Sequence, residues 1–127
     1  LKTKAKMILL DTSALIEISY GTEIGQKIKS IISYQETYIA SISIYEYLYS
    51  VKSWEIGLNV IENLGVLDFR KKDAIKSIEI EKELSKKGQM INKLDIFIAA
   101  VAINKNATLI SLDEDFSNIK ELKSKLF

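Results

Sequence analysis

Four short, largely apolar runs punctuate the chain. Each gives way to polar residues and then to a stretch with helical spacing. Met7–Leu10 is continuously apolar, as a strand buried on both faces of a parallel sheet should be, and it breaks on Asp11-Thr12-Ser13. Thr37–Ala40, Val66–Phe69 and Thr108–Ser111 repeat the pattern. Between them, Thr12 or Ser13 can cap a helix that packs Ala14, Leu15, Ile16 and Ile18 inward, with Gly21 as its stop. Thr22–Ser33 spaces Ile24, Ile28, Ile31 and Ile32 along one helical face. Glu55–Asn63 predicts a helix stopped by Gly65, and Asp73–Lys87 a long amphipathic one with Ile75, Ile78 and Leu84 inward. Asn92 can cap a helix with Asp95 in its first turn and Ile96–Ile103 as its apolar body. Ile119–Phe127 closes the chain as a short amphipathic segment. Strands alternating with helices predict an α/β fold, a parallel doubly wound sheet with right-handed crossovers.

Two segments carry a second reading. Ser43-Ile44-Tyr45-Glu46 fits the S-x-x-E capping box, so Glu46 can close its own helix start or stand in the first turn after a strand, at the carboxyl edge of the sheet. Ile44–Trp54 carries Tyr45, Tyr47, Leu48, Tyr49, Val51 and Trp54 on more than one helical face. A helix apolar nearly all round is buried, which favours core plus a homodimer interface over a base-stacking platform for single-stranded nucleic acid. Arg70-Lys71-Lys72 at the end of the third strand is a solvated loop or a place to hold a backbone phosphate.

The acids change the picture. Ligands of such sheets bind outside the carboxyl ends of the strands. Asp11 and Asp113 fall at strand ends, and Glu46 and Asp95 in first turns of helices that can share that edge. Each acid alone is explained as a cap or turn residue. Together they repel, so one stays protonated unless a cation intervenes. The 127 residues include no histidine and no cysteine. That excludes Ser-His-Asp and Cys-His catalysis, disulfides and thiolate or imidazole metal sites. Clustered carboxylates without those ligands favour a hard cation, Mg²⁺ or Mn²⁺. A net charge of +1 announces no strongly basic nucleic-acid surface. No apolar run reaches the roughly 18 residues of a membrane span. Lys2, Lys4 and Lys6 precede only a short apolar segment that runs into Asp11, which does not read as a secretory signal. These features fit a cytoplasmic protein. Residues 1–6 read as an N-terminal extension without a role, and 7–127 as one domain.

L-L-D-T-S-A-L-I at Leu9–Ile16, I-S-I-Y-E at Ile42–Glu46, L-D-I-F-I-A-A-V-A at Leu94–Ala102 and L-I-S-L-D-E-D-F at Leu109–Phe116 resemble the PIN-domain ribonucleases, nearest to the VapC-type toxins of prokaryotic toxin–antitoxin operons. The resemblance runs from Met7 to Phe127. It implies a three-layer α/β/α fold around a twisted parallel sheet of four to five strands. It also implies Mg²⁺- or Mn²⁺-dependent hydrolysis of RNA phosphodiesters, a catalytic quartet of Asp11, Glu46, Asp95 and Asp113, and metal ligands Asp11, Asp95 and Asp113. Asp115 matches a fifth, less constant acid, and Thr12 or Ser13 would support Asp11 or its metal. RNA, a cognate antitoxin and a second copy are the implied partners, with no membrane. Ser111 stands where the family often has Thr, and Leu112 where it often has a basic residue that would contact phosphate. Other classes fit less well. Haloacid-dehalogenase phosphoryl transfer wants an acid where Ser13 stands, a receiver domain wants a lysine near Ser111, and a binding module would need no intact quartet.

Overall fold

The computed structural model describes residues 6–33 and 35–127, so of the extension expected over 1–6 only Lys6 falls within the described residues. Five strands, β1 (Met7–Leu10), β2 (Glu36–Ala40), β3 (Gly65–Leu67), β4 (Thr108–Ser111) and β5 (Ser124–Leu126), form one sheet in the order β3-β2-β1-β4-β5, all parallel. The helices are α1 (Thr12–Tyr20), α2 (Glu23–Ile32), α3 (Ile44–Ser50), α4 (Trp54–Glu62), α5 (Lys71–Lys86) and α6 (Lys93–Asn104). Two 3-10 turns, Ser41–Ser43 and Glu114–Asn118, follow β2 and β4. The last segment, read as merely amphipathic, supplies the fifth strand.

The pleat sends successive side chains to opposite faces and so builds two cores. Leu9, Ala40, Leu67 and Leu109 pack with Ile80, Leu84 and Val101 of α5 and α6. Ile8, Leu10, Ile39 and Ile110 pack with Ala14, Leu15, Ile28, Tyr47 and Ile61 of α1 to α4. This is the expected α/β/α sandwich. The body of α6 is buried on nearly every side, and Ala99, Ala100 and Ala102 let it approach closely. That burial fixes the height of Asp95 above the sheet. No helix among the described residues is long and apolar enough to cross a membrane.

Several local expectations are corrected. Ile75 and Ile78 of α5 are exposed, 56% and 54%, and the inward face is Asp73, Ser77, Ile80 and Leu84. The fully buried Asp73 sets that phase. It accepts from the Arg70 backbone N–H at 2.8 Å and from Asn104 Nδ2 of α6 at 2.7 Å, and the second bond holds it toward α6. The aromatic helix is neither continuous nor buried all round. α3 stops at Ser50, and Trp54 opens α4. Tyr47 is buried and bonded to Ser19 of α1, whereas Tyr45, Tyr49 and Trp54 are exposed. Gly65 opens β3 instead of stopping a helix, and a Cβ there would lie 2.4 Å from the Tyr38 ring. Gly21 does end α1, with φ of 63°.

Candidate active site

The carboxyl edge of β1 and β4 holds the acids by short, local constraints. Asp11 continues the β1–β4 ladder, its N–H donating to the Ile110 carbonyl at 3.0 Å. It occupies the N-cap position of α1, but its side chain makes no cap bond, and neither Thr12 nor Ser13 caps the helix as expected. Instead Asp11 Oδ2 accepts from Ser111 Oγ at 2.7 Å and from Ser13 Oγ at 3.1 Å. Ser111 Oγ accepts in turn from the Asp113 N–H, and Ser13 Oγ from the Leu112 N–H, both at 3.0 Å. Two hydroxyls thus lock the Asp11 carboxylate to the backbone that carries Asp113. Asp113 Oδ1 accepts from the Asp115 N–H at 2.9 Å, which folds the strand exit into its 3-10 turn. Asn92 caps α6 through Leu94 N–H at 2.8 Å, as its position predicted, and sets Asp95 in the first turn.

Asp11, Glu46, Asp95 and Asp113 line one cleft of about 360 Å³, with Thr12, Ser13, Ser43 and Asn92 among its other walls. The four sequence-predicted acids are therefore brought together. Asp115 is not: its side chain is exposed, and its backbone serves Asp113. Ser111 and Ser43 are the residues a search for acids passes over. The signal for Ser111 is a hydroxyl two residues before an acid at a strand end, where it can bond the backbone two residues on.

The S-x-x-E capping box does not form. The 3-10 turn runs directly into α3, and Ser43 has helical angles, φ −92° and ψ −12°, with no side-chain cap bond. A capping hydroxyl needs an extended backbone to reach back to the helix amides. Glu46 is therefore a cleft residue.

No lysine or arginine lines the cleft. Burial holds the Asp11 carboxyl above its ordinary value, against the pull of the Ser111 and Ser13 hydroxyls and the Thr12 N–H, and Glu46 adds to the rise. Asp95 is pushed up from 3.8 to about 7, by burial first, then by the charges of Asp11 and Asp113, a hydrogen bond with Asp113, and Glu46. This is the repulsion a cation relieves. Among the described residues no three carboxylates converge into a closed metal cage. Mg²⁺ and Mn²⁺ demand less, since one or two carboxylates suffice when water and a substrate phosphate complete the shell. The all-oxygen, uncompensated donor set fits such an ion.

Comparison with known proteins follows the same line. The PIN domain family model matches residues 8–122. By structure the chain is similar to a chain of VapBC2 from Rickettsia felis, crystallised bound to a DNA fragment from their promoter. The TM-score is 0.80 at 25% identity, over 95% of this chain and 98% of that one. DNA-bound VapBC from Salmonella typhimurium gives 0.77 at 24%, over 96% and 98%. VapBC-1 from nontypeable Haemophilus influenzae gives 0.78 at 21%, over 94% and 97%. Comparison with curated proteins finds no significant match. With the family match spanning all but the two ends, and the acids gathered at the carboxyl edge of the matching sheet, the chain belongs to the PIN domain family.

Proposed function

We propose that the chain is a divalent-metal-dependent ribonuclease and the toxin of a toxin–antitoxin pair. The observation that carries this reading is the cleft itself: four carboxylates, no cationic side chain, and Asp95 raised to about 7 by burial first and then by its acidic neighbours. The likeness to chains of VapBC complexes supports a protein partner, a cognate antitoxin.

In this reading Asp11, Asp95 and Asp113 would supply the one or two carboxylates that hold the ion directly, with water completing its shell. When bound, a divalent ion supplies a Lewis acid that offsets charge developing on phosphoryl oxygen and makes water a better nucleophile near neutral pH. The chain's own groups do the placing. Ser13 and Ser111 fix the Asp11 carboxylate at the cleft wall through one of its oxygens. Asp113, tied to its turn through Asp115 N–H, keeps one oxygen directed by the backbone. Glu46, released from capping, orients the attacking water for in-line displacement at phosphorus. No histidine base is required, and the chain contains none.

The test is Mn²⁺- and Mg²⁺-dependent cleavage of a panel of structured RNAs by wild type and by Asp95→Asn. Metal-dependent cuts that fall at least a hundredfold in the variant support the reading. Equal cutting by both places the chemistry elsewhere. The open spacing of the acids favours a second reading, a PIN-fold binding module with weak metal affinity. Absence of both cutting and calorimetric Mn²⁺ binding would move the assignment to it.

A further inference from the structure

Three buried side-chain polar atoms among the described residues have no hydrogen-bond partner in the protein, and two of them, Thr12 Oγ1 and Ser43 Oγ, belong to residues that line the acid cleft. Thr12 is 5% and Ser43 3% exposed. Buried hydroxyls are nearly always paired, because an unpaired one has given up its water without return. For Ser43 the anomaly is sharper. A capping box would occupy both its hydroxyl and the Glu46 carboxylate, and the 3-10 entry to α3 leaves that box unformed. The helix therefore draws no cap bond from the Ser43 side chain, and the fold gives its hydroxyl no other partner.

From this we infer that Ser43 Oγ, brought by a turn about χ1 from its buried position to the cleft its residue lines, donates a hydrogen bond to a non-bridging phosphoryl oxygen of the nucleic acid held there. The inference rests on the ribonuclease reading and adds to it a residue outside the acidic quartet. The chemistry selects the acceptor. A hard cation prefers the carboxylates beside it to a neutral hydroxyl, so the ion leaves Ser43 unpaired. A phosphate entering the cleft finds no lysine or arginine in its walls. A hydroxyl can donate to phosphate oxygen without bringing a positive charge that would compete with the ion for the same acids. Thr12 Oγ1, at the start of α1, is the second neutral donor of this kind.

The test compares wild type, Ser43→Ala, Ser43→Thr and Thr12→Val in four readouts. These are kcat/KM for RNA cleavage in Mn²⁺, binding of a fluorescein-labelled oligoribonucleotide by anisotropy with Ca²⁺ in place of Mn²⁺, Mn²⁺ affinity by calorimetry, and melting temperature. For Ser43→Ala, kcat/KM falls about tenfold to a hundredfold, the size of one hydrogen bond to a charged acceptor. RNA binding weakens with it, while Mn²⁺ affinity stays within twofold. The melting temperature holds or rises, because deleting an unpaired buried hydroxyl removes a cost. Ser43→Thr restores most of the loss. Undiminished kcat/KM and RNA binding in Ser43→Ala overturn the contact while the nuclease reading stands. A loss accompanied by a lower melting temperature assigns Ser43 a structural role, and one accompanied by weaker Mn²⁺ binding assigns it to the ion; either overturns the proposal. A wild type that binds RNA without cutting, with binding weakened in Ser43→Ala, retains the contact and ends the nuclease reading. A wild type that neither binds nor cuts ends both. If Ser43→Ala does not fold, Thr12→Val carries the same comparison through the other hydroxyl, and an unchanged Thr12→Val overturns the idea of a donor wall.

Discussion

Asp95 holds its proton in the folded protein over a range where the unfolded chain has already lost it. Its pKa rises from 3.8 to about 7, and Asp11 is displaced in the same direction. The stabilisation from each is complete below about pH 4 and is lost as pH rises through the folded value. One pKa unit corresponds to about 1.36 kcal/mol, so the effect of Asp95 is on the order of a few kcal/mol, reduced by the solvent that reaches this half-buried group. With no histidine or cysteine in the chain, few other groups titrate between pH 5 and 8. Metal-free protein is therefore expected to melt at a lower temperature at pH 8 than at pH 5. Asp95→Asn flattens that slope and raises the melting temperature at pH 8. Mn²⁺ restores wild type at pH 8 more than it shifts the variant. Calorimetric scans at three pH values, with and without Mn²⁺, check this, and a metal-free protein that gains stability from pH 5 to 8 would contradict the coupling of the four acids. These acids were legible in the sequence because each ends a strand or opens a helix, where topology alone brings it to the edge. Ser43 was not legible as a site residue, and Ser111 only as the hydroxyl standing where the family often has Thr. Whether a hydroxyl caps, bridges or stays free is decided by one backbone angle, as at Ser43, or by a neighbour about a hundred residues away, as for Ser111 and Asp11.

The joint between α5 and α6 shows the same limit at the scale of an element. The strands and α6 could be read from apolar runs, since an element buried on all sides needs no choice of face. α5 offered two stripes with two large aliphatic residues each, and the one through Ile75 and Ile78 faces solvent. The true face begins with a carboxylate and a serine, which pattern reading assigns outward. Asp73 reverses that assignment by taking up the Arg70 backbone N–H, the Arg70 guanidinium at 3.4 Å and Asn104 Nδ2. Burial pushes its carboxyl up, but the bonds from Asn104 and Arg70 outweigh it, and the net pKa is lowered. Asp73 thus stabilises the fold above the unfolded carboxyl value near 4, and that stabilisation is lost as pH falls through the folded value. Asp73→Ala is expected to cost about 3 kcal/mol, because it leaves the Arg70 N–H without its acceptor and Asn104 Nδ2 with only the Lys72 carbonyl. Asn104→Ala costs about 1–2 kcal/mol. Urea denaturation at pH 7 measures both. At pH 3 the difference between wild type and Asp73→Asn should shrink, and a constant difference would show that the charge of Asp73 plays no part.

At the scale of the molecule, α3 divides the surface between two kinds of chemistry. Glu46 turns into the acid cleft. Tyr45 and Tyr49, with Trp54 from the start of α4, line a neighbouring apolar groove of about 850 Å³. Tyr49 is 81% and Trp54 58% exposed, large aromatic surface that a folded chain ordinarily covers or uses. The sequence placed these aromatics on one helix and so read them as buried. The break at residues 51–53 puts Trp54 on a second helix, and Tyr45 and Tyr49 stand on the exposed side of α3. Lys52 is the one charged residue in the groove lining, and the remainder is apolar or hydroxylic, a composition suited to protein and not to a phosphate backbone. We propose a homodimer through this face. Sedimentation at micromolar concentration should give wild type at twice the chain mass, and Tyr49→Glu with Trp54→Lys should give the monomer. Circular dichroism should be unchanged, since neither residue is in either core. If the double variant keeps the wild-type mass but loses RNA binding, the rings are a base-stacking platform. If wild type is already monomeric and its RNA binding survives the substitutions, the groove belongs to a different protein. The proposed antitoxin is then the partner to supply, and its co-purification with wild type but not with the double variant would assign it this face.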